Sequence, residues 1–139
     1  MASAIMAVWA PGAACLGPAR LDGFRLAFLR RSVRWRAGAA DVVEAAGHAV
    51  WGVLYAVDEA HLEALDGKEF HGTGYRRRHV EVRCAGARCR AVTYEVIEKE
   101  PGHLAPRADY VDLLVAGAVE RGLPEDWVQR LPDMAKGAP

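Results

Sequence analysis

The sequence predicts an α+β or small-barrel architecture, and two observations carry that expectation. Segments with strand character cluster in the first two thirds of the chain, and the one convincing helical stretch comes near its end, followed by a shorter one. Strands grouped in this way, with no long helix between successive pairs, argue against a doubly wound parallel sheet. At 139 residues the chain has room for one domain, and no repeat or low-complexity linker interrupts it.

Taken in order, Phe24–Leu29 alternates around aromatic and aliphatic residues and reads as a strand. Arg30–Gly38 is a basic, loop-like stretch. Ala39–Ala45 and Ala49–Val57 read as two strands joined by a turn at Glu44–His48, the second apolar enough to be buried on both faces. Asp58 caps a short helix, Glu59–Leu65, which Gly67 breaks. Tyr75–Cys84 and Cys89–Ile97 form a hairpin, and Glu98–Arg107 is a Pro/Gly loop. In Asp109–Arg121, Tyr110, Leu113, Leu114, Gly117 and Ala118 recur at helical spacing, and Gly122 ends the helix. Pro124 opens a last helix, Glu125–Leu131. Pro132 is expected to stop it, leaving 132–139 as a frayed tail.

Composition excludes several functions. Eighteen Lys+Arg balance eighteen Asp+Glu, so affinity for a polyanion cannot rest on overall charge, and no nucleic-acid partner is expected. No window approaches the ~20 apolar residues of a membrane helix. The start, MASAIMAVWAPGAACLGPARL, has no cation before Arg20 and is broken by Trp9, Pro11 and Gly12, so it does not read as a signal peptide. A cytoplasmic protein with three free thiols (Cys15, Cys84, Cys89) is the expectation. The five histidines show no HxH or HExxH spacing, no phosphate-binding glycine motif appears, and neither Ser3 nor Ser32 sits in a G-x-S-x-G context. No metal and no nucleotide cofactor is expected.

Glu69 is the leading candidate for chemistry. It follows a short helix and precedes an Arg-rich strand, and a carboxylate at the mouth of an apolar cavity has its pKa raised into the range of a general acid/base. The alternative is an exposed turn residue paired with Arg76 or Arg77. Asp66 reads as a cap or an ion-pair partner. Arg20–Arg36 and Arg76–Arg78 are local basic stretches suited to carboxylates or phosphates, although an alternating strand also shows such charges to solvent.

Several blocks together resemble the γ-glutamylcyclotransferase-like (AIG2-like) family. Cys15-Leu16-Gly17-Pro18-Ala19-Arg20-Leu21 with Gly23–Phe28 is similar to its second strand region, and Val50-Trp51-Gly52-Val53-Leu54-Tyr55 to its central strand. Leu65-Asp66-Gly67-Lys68-Glu69 resembles its Leu-Asp-x-x-Glu motif, followed by Tyr75-Arg76-Arg77. Tyr110–Leu131 resembles its closing helices. The resemblance implies a small mixed β-barrel with flanking helices and cofactor-free cyclisation of γ-glutamyl amines or peptides to 5-oxoproline. It assigns Glu69 as the acid/base, Tyr75 and Tyr110 as substrate-cavity residues, and Tyr94 as a further one. A non-catalytic small-molecule binding module on the same scaffold is the alternative.

The sequence departs from the family pattern at two places. It has no Tyr-Gly-Ser-Asn loop; residues 1–10 read as the remnant of the first helix, Ala10–Ala13 as the following turn, and the strand before them as missing. Phe70 stands where a Gly often follows the Glu and would reshape the pocket. Either a segment precedes Met1 or the loop is truly lost. The 139 residues alone are expected to be a weak or inactive catalyst, with an exposed barrel edge open to self-association.

Overall fold

In the computed structural model, the described residues are 12–69 and 74–137, with the side chains of Lys68 and Glu69 excepted. The expected helix remnant at residues 1–10, the first residues of the turn after it, Phe70, and the end of the tail lie outside them.

Four strands, β1 (Ala14–Arg31), β2 (Gly38–Ala56), β3 (Tyr75–Cys84) and β4 (Ala87–Val96), form one sheet in the order β2-β1-β3-β4. Every pairing among the described residues is antiparallel. Among the described residues three helices accompany it: α1 (Glu59–Glu69), α2 (Ala108–Glu120) and α3 (Glu125–Ala135).

The first hairpin is longer than the sequence predicts. β1 begins ten residues before Phe24, and the expected strands at 39–45 and 49–57 are two halves of one strand. The expected turn does not reverse the chain. Asp22 pairs with Ala49 and Phe24 with Glu44, so Ala45–His48 bulge out opposite Gly23. Gly23 and Gly47, both at φ 80°, supply the left-handed backbone this double irregularity needs. Nor is β2 buried on both faces: Val50 is buried but Trp51 to Tyr55 are half-exposed, because β2 is an edge strand among the described residues.

Among the described residues the hydrogen-bonded sheet is open, so closure into a barrel is not observed. β1 and β3 pair only at Ala19–Cys84 and Arg20–Arg83 before parting. The two edge strands nevertheless approach one another, because a side-chain clasp spans them. Asp41 of β2, only 2% exposed, accepts the Val96 N–H of β4 at 2.9 Å through Oδ1. Its Oδ2 faces the Lys99 ammonium at 2.8 Å, and Lys99 donates to the Val96 carbonyl at 2.7 Å. Both free backbone groups of Val96 are thereby partnered. Edge backbone that no strand covers among the described residues is satisfied by a buried ion pair instead.

Inside the curl, Ala19, Leu21, Val50, Val82 and Cys84 meet Ala118, Trp127 and Leu131 of the helices in one core. A cavity of about 200 Å³ remains, lined by apolar residues of all four strands, among them Leu21, Val42, Val50 and Val82. α2 ends as expected: Gly122 at φ 72° lets Leu123 N–H return to the Ala118 carbonyl and Gly122 N–H to Val119. α3, in contrast, runs through Pro132 to Ala135, so the first four residues of the expected frayed tail are helical. Trp127, Leu131 and Ala135 are buried at i, i+4 and i+8, and this stripe outweighs the hydrogen bond lost at the exposed Pro132.

Candidate active site

α1 continues one turn beyond the predicted Leu65 and ends at Glu69. Gly67 is accommodated within it. What holds this turn is a network that cross-strand register brings together. Arg77 lies opposite Tyr94 in the β3–β4 pair. Arg77 clasps Asp66 in a two-pronged contact, Nε–Oδ1 at 2.9 Å and Nη2–Oδ2 at 2.6 Å, while the Tyr94 hydroxyl donates to Asp66 Oδ1 at 2.5 Å. Leu65, the next residue back, is buried against Tyr55, Val57 and Tyr94. Asp66 is thus the ion-pair partner the sequence offered as one of two readings, and Tyr94 supports α1 through it. Burial, followed by the bond to Asp66, raises the pKa of the Tyr94 hydroxyl well above its usual range, and the bond to Asp66 raises the pKa of the Arg77 guanidinium. Both groups keep their protons at neutral pH. Glu69 follows Leu65 and Asp66 by one helical turn. Its side chain lies outside the described residues.

Tyr75 and Tyr110 converge on the backbone of one residue, Ala40. Tyr110, in the first turn of α2, accepts the Ala40 N–H at 3.1 Å, and the Tyr75 hydroxyl donates to the Ala40 carbonyl at 3.3 Å. The two residues are 35 positions apart, and β2 brings their hydroxyls together on one backbone position. Trp35 packs against the Tyr110 ring with centroids 5.4 Å apart. Ala40 precedes Asp41, so the clasp that joins the sheet edges also fixes the strand on which both tyrosines rest. Sequence reasoning missed Asp41. Its one signal is a carboxylate between Ala40 and Val42 in an otherwise apolar run, where a lone charge needs a buried partner.

The remaining arginines of β3 lie on its other face. Arg76 and Arg78 bind Glu95 at 2.8 and 2.9 Å, and Arg78 also reaches Glu44 and stacks on Phe24. Burial pushes the Glu95 carboxyl up, but the Arg78 and Arg76 guanidiniums outweigh it and hold the group below its usual value. These residues form a network of ion pairs around the buried Glu95, with Arg76 itself exposed on the solvent face. Cys84 and Cys89 do not face each other across the turn: Cys84 pairs with Ala87 and Cys89 with Val82, and all three cysteines are free thiols. Among the described residues no three His, Cys, Asp or Glu side chains converge as a metal site would require, and no helix is long and apolar enough to cross a membrane.

A family model described as the AIG2-like family matches residues 49–131, a span that contains Glu69, Tyr75, Tyr94 and Tyr110. The chain belongs to the AIG2-like family. It is 30% identical over 129 residues to a human γ-glutamylcyclotransferase and 29% identical to the mouse protein of that name, in each case over 87% of this chain. The chain spans 66% of the length of these curated relatives. Among solved structures, a γ-glutamyl cyclotransferase superposes with a TM-score of 0.87 at 24% identity, covering 99% of this chain and 93% of that one. A human protein solved as an uncharacterized one superposes with a TM-score of 0.84 at 28% identity, covering 91% of this chain and 78% of the other. The fold is therefore that of the γ-glutamylcyclotransferases, seen among the described residues as a sheet with three helices.

Proposed function

We propose that the protein is a γ-glutamylcyclotransferase-type enzyme that converts γ-glutamyl amines or peptides to 5-oxoproline and the free amine, with Glu69 as its general acid/base. The observation that carries this reading is the family match across residues 49–131, within which the Leu65–Glu69 motif falls on a helix end docked by Asp66, Arg77 and Tyr94.

The chemistry asks little of the protein beyond position and one proton carrier. The α-amine of the glutamyl unit attacks its own γ-carbonyl, forming the ring C–N bond. Glu69 takes the proton this nitrogen sheds. The tetrahedral intermediate collapses by breaking the bond to the departing nitrogen, and Glu69 returns the proton there. Folding the substrate so that amine and carbonyl meet makes attack intramolecular, which removes much of the entropic barrier, and acid/base assistance contributes roughly 10²–10⁴-fold. Tyr75 and Tyr110, fixed on Ala40, are assigned to the wall that folds the substrate. Tyr94 acts on Asp66 and so positions α1. As balanced, the step needs no oxidant or reductant.

The test is to incubate the full-length protein with a panel of γ-glutamyl amines, amino acids and peptides, measuring 5-oxoproline and free amine together. Stoichiometric release of both is expected, and its loss in Glu69→Gln. Saturable ligand binding without either product would assign the scaffold to a binding module instead.

A further inference from the structure

Arg30 closes the strand β1 beside the tyrosine pair. Its guanidinium lies over the Tyr75 ring, 5.7 Å from the centroid, and presses against the bare backbone of Gly74. A Cβ at Gly74 would stand 2.7 Å from Arg30 Nη2 and 2.8 Å from its Cζ, so the glycine makes room for the cation. Arg30 is half-buried yet has no carboxylate partner among the described residues, whereas Arg76, Arg77 and Arg78 on the neighbouring strand all have one. A guanidinium so placed has lost part of its hydration, is held by ring stacking, and keeps its hydrogen-bonding fork unspent on protein acids. Gly74 lies five positions after Glu69 in the chain, an extended reach of no more than ~18 Å.

We propose that Arg30, seated on Tyr75 and Gly74, is a carboxylate-binding subsite of the candidate active site. The proposal rests on the cyclotransferase reading for the identity of the substrate. Two carboxylates have the right chemistry: the α-carboxylate carried by every γ-glutamyl compound, and the carboxylate of a departing amino acid or peptide. Planar two-point pairing suits either. An Arg30 that bound the second would set substrate class, favouring γ-glutamyl amino acids over simple γ-glutamyl amines.

The experiment is a cycle of protein and ligand changes, measured by calorimetric binding to the Glu69→Gln protein so that nothing is turned over. The ligands are γ-glutamylalanine, its alanine methyl ester, and its glutamyl α-methyl ester, each with Arg30 intact and with Arg30→Gln. With Arg30 intact, esterifying the bound carboxylate should weaken binding roughly tenfold to a hundredfold, the usual worth of a charge-assisted pair. In Arg30→Gln the same ester should bind about as well as the free acid. Whichever ester shows this non-additivity identifies the carboxylate and supports the subsite. Arg30→Lys should restore part of the loss, and the exposed Arg90→Gln should leave the cycle unchanged. If Arg30 only buttresses Tyr75, substitution and esterification will weaken binding additively, and the proposal falls; it falls equally if γ-glutamylalanine does not bind. A cycle that holds in a protein releasing no 5-oxoproline would overturn the enzymatic reading while leaving the subsite standing.

Discussion

Replacing Asp41 tests whether a side-chain clasp closes the sheet. Asp41→Ala removes the acceptor of the Val96 N–H and strands a Lys99 ammonium that is two-thirds buried. Removing one member of a buried ion pair typically costs about 3–5 kcal/mol, and an unsatisfied buried N–H alone costs about 1–3 kcal/mol. A loss of ~4 kcal/mol is thus expected, a large share of the ~5–15 kcal/mol that holds a typical domain. Asp41→Asn keeps an oxygen for Val96 but loses the charge facing Lys99, so it should cost about half as much. Urea unfolding followed by tryptophan fluorescence reads both, with the Lys99→Met single mutant and the double mutant closing a cycle. The reasoning fails if Asp41→Ala unfolds within ~0.5 kcal/mol of wild type, or if Asn and Ala are equivalent. Because Ala40 carries both tyrosines, Asp41→Asn should also raise KM for any γ-glutamyl substrate.

Further outcomes follow from other contacts. Glu95 is held below its ordinary carboxyl pKa by Arg78 and Arg76, so its folded-state contribution is complete above about 4.5 and is lost as pH falls through the lower folded value; the acid limb of stability should be shallower in Glu95→Gln. Tyr94 should ionise well above the range of an ordinary tyrosine in an alkaline absorbance titration, and Asp66→Asn should bring its transition down. Pro132→Ala restores an amide donor toward Val128 in an exposed position of α3 and should stabilise the protein by about 1–3 kcal/mol in the same urea assay. Gly38→Ala should destabilise strongly, since its Cβ would fall 1.9 Å from the Leu104 carbonyl oxygen.

Much of the fold was legible because local signals agreed. The second hairpin, the α2 periodicity and its Gly122 stop were each visible in a window of about ten residues. What stayed hidden was set by partners far along the chain. The alternation in β1 is masked by Gly17, Pro18 and Gly23, whose bulges make sense only beside β2. The bulge at Ala45–His48 reads as a turn because turn residues serve both purposes. Pro132 is overruled by a buried stripe of three residues that tertiary packing rewards. At the site, the family motif pointed to Glu69 and the tyrosines, and Asp66 was already suspected as a pair. Asp41 carries no such signal, and Arg30 is legible only as one of a basic stretch, since what sets each apart depends on Val96, Lys99, Gly74 and Tyr75.

The central claim is that one carboxylate at the end of α1 carries the proton. The direct measurement is the rate of 5-oxoproline release by the full-length protein against that of Glu69→Gln, with the urea midpoints of both recorded. A fall of about a hundredfold or more at unchanged stability is expected. Turnover by the variant at the wild-type rate would contradict it.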